Sequence, residues 1–259
     1  MTRQELIGFI HNSIAIGEVV NGHKFAANYH TRDWMEQNYI EILGELMDGS
    51  VEVSGMYFKE LDNKEIELIY LGADFKILDL GDAVDQIGEF AFFNNRSLKE
   101  LYAPFVTKIH QHSFMNCSIE VLSLPSLKYV HKDTRFPLSV KDIDFQSLEE
   151  LPPHCFEYCR NLESVNVSSV KRIGGSSFFC CSNLSKVKAT SLEMLDKDAF
   201  GSCPSLTALD APKLKYINRW AFANIGQPSV IKQIGYSKLK LFLGQIQYSL
   251  KDIFDLSHK

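Results

Sequence analysis

No apolar run in this 259-residue sequence approaches the roughly 18 residues that a membrane-spanning helix requires. Basic residues are not in excess, since 27 Lys and Arg stand against 32 Asp and Glu, a formal charge of −5. A general binder of the nucleic-acid backbone needs a basic surplus or a concentrated basic patch, so nucleic acid is not an expected partner. No CxxC pair, Walker loop, dinucleotide fingerprint, HExxH or GxSxG elbow occurs. The start, Met1-Thr2-Arg3-Gln4-Glu5-Leu6, carries an early acid and only short apolar stretches, so it does not read as a signal peptide. A cytoplasmic location is therefore expected, with delivery into a host cell as the alternative. What is present is ordinary globular composition, 45% hydrophobic and 23% charged. The length allows one or two domains at about 150 residues each.

The six cysteines are Cys117, Cys155, Cys159, Cys180, Cys181 and Cys203. An even count invites disulfides, but such frameworks belong to short secreted chains. Cys155 and Cys159 flank a short stretch beside His154, and Cys180 adjoins Cys181, whereas zinc wants two tight pairs of compatible spacing. Buried free thiols are the expectation.

Internal periodicity supplies the reason. Phenylalanines stand at Phe92, Phe114, Phe136, Phe156, Phe178, Phe200 and Phe222, separated by 22 residues except for one interval of 20. Other positions recur with them. Five before most of these stand Ile87, Ile109, Leu151, Ile173, Leu195 and Ile217; one before is a small residue such as Ala91, Ser113, Cys155, Ser177, Ala199 or Ala221. Three after come Asn95, Cys117, Cys159, Cys181 and Cys203, so four of the six cysteines share one position. A Leu and an alternating pair follow, as in Leu162 with Val165 and Val167, or Leu184 with Val187 and Ala189. Recurrence at one place per turn builds internal columns, and only stacked neighbours can complete such a core. The alternating pair has the period of a short strand, and stacked strands form a parallel sheet with roughly 4.8 Å between coils. The small-Phe-x-x-Cys stretch is expected as a short helical turn on the other side.

The pattern Ile-x-x-x-Ala/Ser-Phe-x-x-Cys-x-x-Leu resembles the BspA-like class of leucine-rich repeats, over about residues 75–235. The resemblance implies a protein-binding or adhesive surface and no catalytic signature. The expected architecture is an α/β repeat: a leucine-rich repeat solenoid over 73–235 with a parallel sheet on one face. A mixed α+β N-terminal cap over 1–72 and a helical C-terminal cap over 236–259 should close its ends. One coil departs from the pattern. Around Phe136, Arg135 replaces the small residue, Pro137 removes a backbone donor and no Cys follows. That coil should lose its turn and cross directly to the next strand, either as drift or as an irregularity at a contact surface.

In the N-terminal region, a helix is expected over about Arg3–Ile16 and a second from the capping box Asp33-Trp34-Met35-Glu36 to Gly49. Strands are expected over Val51–Phe58 and Glu65–Leu71, around the turn Leu61-Asp62-Asn63-Lys64. Lys238–Leu256 has the apolar spacing of a capping amphipathic helix.

Candidate chemistry is thin. His110 and His112 flank Gln111 in a loop, where weak chelation and a solvated surface are the competing readings. His154 beside Cys155 suggests a nucleophile pair, but Cys155 sits at a buried repeat position where a thiol stays protonated. An enzyme hidden in residues 1–72 would rest on Glu18, His23 and His30 alone. No metal and no cofactor are expected.

The strand surface remains. Its outward residues should be Glu100 and Tyr102, Val121 and Ser123, Asp142 and Asp144, Ser164 and Asn166, Lys186 and Lys188, then Ala208 and Asp210. An acidic step is followed two coils later by a basic one, roughly 10 Å away. The candidate partner-binding residues are Glu100, Tyr102, Ser123, Asp142, Asp144, Asn166, Lys186, Lys188 and Asp210. A polar face turned to water, or like-charge pairs that discourage edge aggregation, accounts for the same residues without a partner. The expected function is a non-enzymatic protein-interaction module. The alternatives are a phage- or pathogen-encoded inhibitor that captures a host protein, and a surface adhesin or assembly component.

Overall fold

The computed structural model describes residues 3–16, 49–53 and 55–225. The expected helices after Asp33 and over 238–256 lie outside the described residues, as do Glu18, His23 and His30.

Helix α1 (Arg3–Ile16) is followed by β1 (Val51–Val53), β2 (Met56–Glu60) and β3 (Ile66–Leu71). The coils then alternate a three-residue strand with a two-residue one. The three-residue strands are β4 (Ile77–Asp79), β6 (Glu100–Tyr102), β8 (Val121–Ser123), β10 (Asp142–Asp144), β12 (Ser164–Asn166), β14 (Lys186–Lys188) and β16 (Ala208–Asp210). The two-residue strands are β5 (Gln86–Ile87), β7 (Lys108–Ile109), β9 (Tyr129–Val130), β11 (Glu150–Leu151), β13 (Arg172–Ile173), β15 (Met194–Leu195) and β17 (Tyr216–Ile217). The first set pairs into one seven-stranded parallel sheet. Seven turns of a β-solenoid result.

The apolar positions of the repeat explain the core. The Phe rings stack in a file from Phe92 to Phe222, with neighbouring centroids 5.4 Å apart for Phe92 and Phe114 and 5.2 Å apart for Phe178 and Phe200. Ile87, Ile109, Leu151, Ile173 and Leu195 are fully buried beside them. The cysteine position is a hydrogen-bonding one. Cys181 and Cys203 donate their thiols to the carbonyls of Phe156 and Phe178 at 3.1 and 3.0 Å, one coil back. Asn95, at the same place in an earlier coil, donates Nδ2 to the Ala73 carbonyl at 3.2 Å and accepts from the Leu98 amide at 2.9 Å. All six thiols are free.

The stretch around each Phe is not a helical turn. Residues two before and two after the Phe take positive φ, as at His154 (61°) and Tyr158 (62°) or Ser176 (54°) and Cys180 (60°). A left-handed residue interrupts a right-handed helix, while i to i+3 bonds such as Cys159 N to Phe156 O at 3.1 Å close tight turns instead. The strain is offset because the left-handed residues donate across coils, Tyr158 N to Phe179 O at 2.8 Å and Cys180 N to Gly201 O at 2.9 Å.

The coil around Phe136 does pass without such a turn. Phe136 stays buried in the file, and Thr134 Oγ1 donates to the His110 carbonyl at 2.9 Å, where Ser113 does the same at 2.6 Å in the coil before. Nearby, the sheet of two-residue strands is cut in two. A six-stranded piece ends at β9 and a four-stranded piece begins at β11. In the other coils, the residue after the strand donates to the preceding coil: His131 N to Ile109 O at 3.0 Å, Gly174 N to Leu151 O at 2.9 Å. After β11 that residue is Pro152, which has no N–H. The ladder opens there. Gly174 then packs so closely on the Pro152–Pro153 backbone that a Cβ would sit 2.7 Å from Pro153 N.

At the amino-terminal end, β2 and β3 form the expected antiparallel hairpin, and β1 is separated from β2 by Gly55 at φ 78°. β3 pairs in parallel with β5, so hairpin and coils share one sheet. Leu6 and Ile10 of α1 are buried in the same core.

Candidate functional site

Alternation along each three-residue strand sends the middle side chain inward and the outer two to the surface. β10, β14 and β16 show it: Ile143, Val187 and Leu209 are buried while their neighbours are half-buried or exposed. Because the register is one-to-one, the outward residues form two files. Asp142 faces Ser164 and Ser164 faces Lys186; Asp144 faces Asn166 and Asn166 faces Lys188. All nine predicted candidates lie in these files. Val121, Ser123, Asp142, Asp144, Ser164, Asn166, Lys186 and Lys188 line one surface depression of about 480 Å³. Glu100, Tyr102 and Asp210 lie outside it. Ile77 and Asp79 on β4 extend the files by one rung that the repeat pattern did not reveal, although Leu78 and Leu80 alternate as Leu101 and Ala103 do.

The electrostatics of the face differ from those of its flanks. Immediately before the three-residue strands, Lys99, Glu120 and Lys141 alternate in sign, and Glu120 pairs with Lys141 at 2.6 Å and with Lys99 at 3.5 Å. Hydrogen bonds and charge from Lys141, then Lys99, hold the Glu120 carboxyl below its usual range. Before the two-residue strands, Glu149, Lys171, Glu193 and Lys215 alternate likewise, with pairs at 2.9 and 2.8 Å. These columns neutralise themselves between adjacent coils. On the face, Asp142 and Asp144 share one rung, Lys186 and Lys188 another, and a neutral rung separates the two; Asp210 stands beside Lys188 on the next strand. Ser164 Oγ donates to Asp142 at 2.6 Å and Asn166 Nδ2 to Asp144 at 2.7 Å, so the neutral rung serves the acids. Among the described residues, Lys186 and Lys188 enter no ion pair. Tyr102 donates its hydroxyl to Glu100 at 2.7 Å, and that bond pushes the phenol upward from its ordinary value.

The other chemical candidates do not assemble. His110 Nε2 lies 2.9 Å from Gln86 Oε1 and 3.5 Å from Glu67, and burial pushes its imidazole down to about 4. His112 instead stacks on Phe90 at 5.3 Å. The two histidines therefore diverge, and neither is the freely solvated loop residue expected. His154 turns to Glu157 at 3.0 Å, and burial raises the Cys155 thiol far above its ordinary value. Among the described residues, no group of three or more His, Cys, Asp or Glu is placed to hold a metal ion. Nor is any helix there long and apolar enough to cross a membrane.

A stack of 21- to 23-residue coils with one continuous parallel sheet and an Asn/Cys file defines a leucine-rich repeat β-solenoid. The sequence matches the BspA type leucine-rich repeat region in six copies, over residues 69–168 and 107–228. These spans together take in more than half of the chain, which therefore belongs to the BspA-type leucine-rich repeat family. Two solved structures show the same fold. A leucine-rich repeat protein from Eubacterium ventriosum is 17% identical with a TM-score of 0.57, covering 67% of this chain and 50% of its own. The Treponema protein described as T. pallidum leucine-rich repeat protein is 18% identical with a TM-score of 0.50, covering 72% of this chain and 96% of its own. The chain thus spans about half the length of the Eubacterium protein. No curated protein matches the sequence. Leucine-rich repeat proteins generally serve as protein-interaction or surface modules.

Proposed function

We propose that the chain is a non-enzymatic protein-binding module and that the face of the seven-stranded sheet is its contact surface. One observation carries this reading. The flanking charge columns pair between neighbouring coils, whereas the Asp142/Asp144 and Lys186/Lys188 rungs are held apart by Ser164 and Asn166. Charged groups kept unneutralised on a rigid sheet orient a charged partner and speed its approach. The six free thiols fit action in the cytoplasm or inside a host cell.

The test compares two variants for retention of whatever protein co-purifies with the wild-type chain. Lys186→Glu/Lys188→Glu should lose it, while Glu149→Lys/Glu193→Lys on the flank should keep it. Retention by the first variant, or loss by the second alone, places the contact elsewhere.

A further inference from the structure

The face is complementary to itself. Its rungs run in order from β8 to β16: Val121 and Ser123, Asp142 and Asp144, Ser164 and Asn166, Lys186 and Lys188, Ala208 and Asp210. A two-fold axis parallel to the strands, above β12 and in the plane between two facing sheets, reverses this order in the second copy. It keeps each file opposite itself. Asp142 then meets the partner's Lys186, and Asp144 meets the partner's Lys188. Val121, 39% exposed, meets the partner's Ala208, and the Ser123 hydroxyl meets the partner's Asp210 carboxylate. The middle rung pairs with its own copy. It asks nothing of a partner, because Asn166 Nδ2 already donates to Asp144 and its Oδ1 accepts from Ser168 at 2.6 Å. A two-fold axis along the coil stack instead exchanges the files and would set Asp142 against the partner's Asp144 and Lys186 against the partner's Lys188, which repels.

Side-chain length matches as well as charge. The depression is floored on the β8, β10 and β12 rungs by short residues and bordered on β14 by two lysines with four-carbon stems. The strand-parallel axis lays each protomer's lysines over the other's short acidic rung. We therefore propose that the occupant of this face is a second copy of the chain, in an isologous dimer centred on β12. The proposal rests on the reading of the face as a contact surface. Five rungs at about 4.8 Å cover less than the roughly 800 Å² per partner of a standard interface. The dimer is accordingly weak, and its charge pairs make it sensitive to salt.

Sedimentation equilibrium of the full chain tests the dimer, with far-UV circular dichroism confirming that each variant is folded. Association at 50 mM NaCl should weaken about tenfold at 500 mM. Asp142→Lys/Asp144→Lys alone should be monomeric, since both charged rungs become basic, and Lys186→Asp/Lys188→Asp alone should be monomeric because both become acidic. An equimolar mixture should associate again, as a heterodimer, and so should a single chain carrying all four substitutions. A wild-type chain that stays monomeric at low salt overturns the self-pairing, as does a mixture that fails to associate or a double variant that dimerises unchanged. A monomeric chain whose different partner is lost in Lys186→Glu/Lys188→Glu overturns the self-pairing and leaves the binding face intact. A monomeric chain whose partner survives that variant overturns both.

Discussion

Phe136 stacks on Phe156 with ring centroids 4.4 Å apart and planes 5° from parallel, while the pairs on either side stand 5.5 and 5.4 Å apart. The tightest contact in the Phe file falls at the coil that lacks the left-handed residues beside its Phe. Phe145 tilts onto both rings from the strand side, at 5.5 and 6.1 Å. The irregular coil is thus a packed junction between two regular halves.

Phe156 is fully buried between two rings, so Phe156→Ala should cost about 3–5 kcal/mol, the usual range for emptying a buried aromatic site. Urea denaturation followed by circular dichroism measures it. A loss below about 1 kcal/mol would mean that the file contributes little to stability.

Two glycines should respond to alanine with opposite signs. At Gly174 a Cβ would stand 2.7 Å from Pro153 N and 2.8 Å from the Leu151 carbonyl, both backbone atoms that cannot swing aside. Gly174→Ala should therefore destabilise by about 1–3 kcal/mol. Gly8 lies inside α1 with nothing within 4 Å of its Cβ position, so Gly8→Ala should stabilise by about 0.5–1 kcal/mol. Thermal melts of the two variants beside the parent decide it, and equal signs would refute the account of Gly174.

Burial pushes the Cys159 and Cys203 thiols up to about 12 and raises those of Cys155 and Cys181 further. Thiolate is the reactive form, so these four should resist iodoacetamide at pH 8 until the chain is unfolded. Cys180, half-buried on a turn, should be alkylated first. Intact mass after timed labelling, with and without urea, checks the order; rapid native labelling of the four would contradict their place in the core.

His110 sets a pH dependence whose sign follows from its environment. Burial foremost, then the charges of Lys108 and His131, lower its imidazole from 6.5 to about 4. Between those values the unfolded chain holds a proton that the folded chain lacks, so stability falls as pH drops from about 6.5 towards 4. Glu67, raised above 4.5 by burial, acts oppositely, its contribution being lost as pH rises through its folded value. His110→Gln should shrink the loss of stability between pH 6.5 and 5 by on the order of 1 kcal/mol, allowing for partial exposure. Melting curves across that range measure it, and an unchanged slope would assign the acid sensitivity to other groups.

Much of the fold was legible before any coordinates, and the particulars show why. The recurrence of Phe at 22 residues places Phe156 against Phe178 and Cys181 one coil from Cys159, because equal spacing in a stack means adjacency. The in-out register of Asp142, Ile143 and Asp144 follows from strand alternation alone. The break after β9 was less accessible. Pro152 lacks an N–H at a position whose N–H completes the ladder in every other coil, and the sequence alone does not assign that role to the position. The turns around each Phe differ from the helical turns expected: Asn94, Asn116 and Asn224 carry a signature of left-handed φ at the second position after the Phe, but Tyr158 and Cys180 at the same place carry none.

The sequence by itself determined the coil, its columns, the burial of Cys155, Cys159, Cys181 and Cys203 and which side chains leave the strand face, since each follows from a local period repeated along the chain. Only the tertiary structure decided that His110 reaches Gln86 while His112 lies on Phe90. It alone decided, too, that Ser164 and Asn166 donate to Asp142 and Asp144, and that Lys186 and Lys188 enter no ion pair among the described residues. These are contacts between residues about 22 apart whose rotamers depend on the coils above and below, and no one-dimensional spacing encodes that choice.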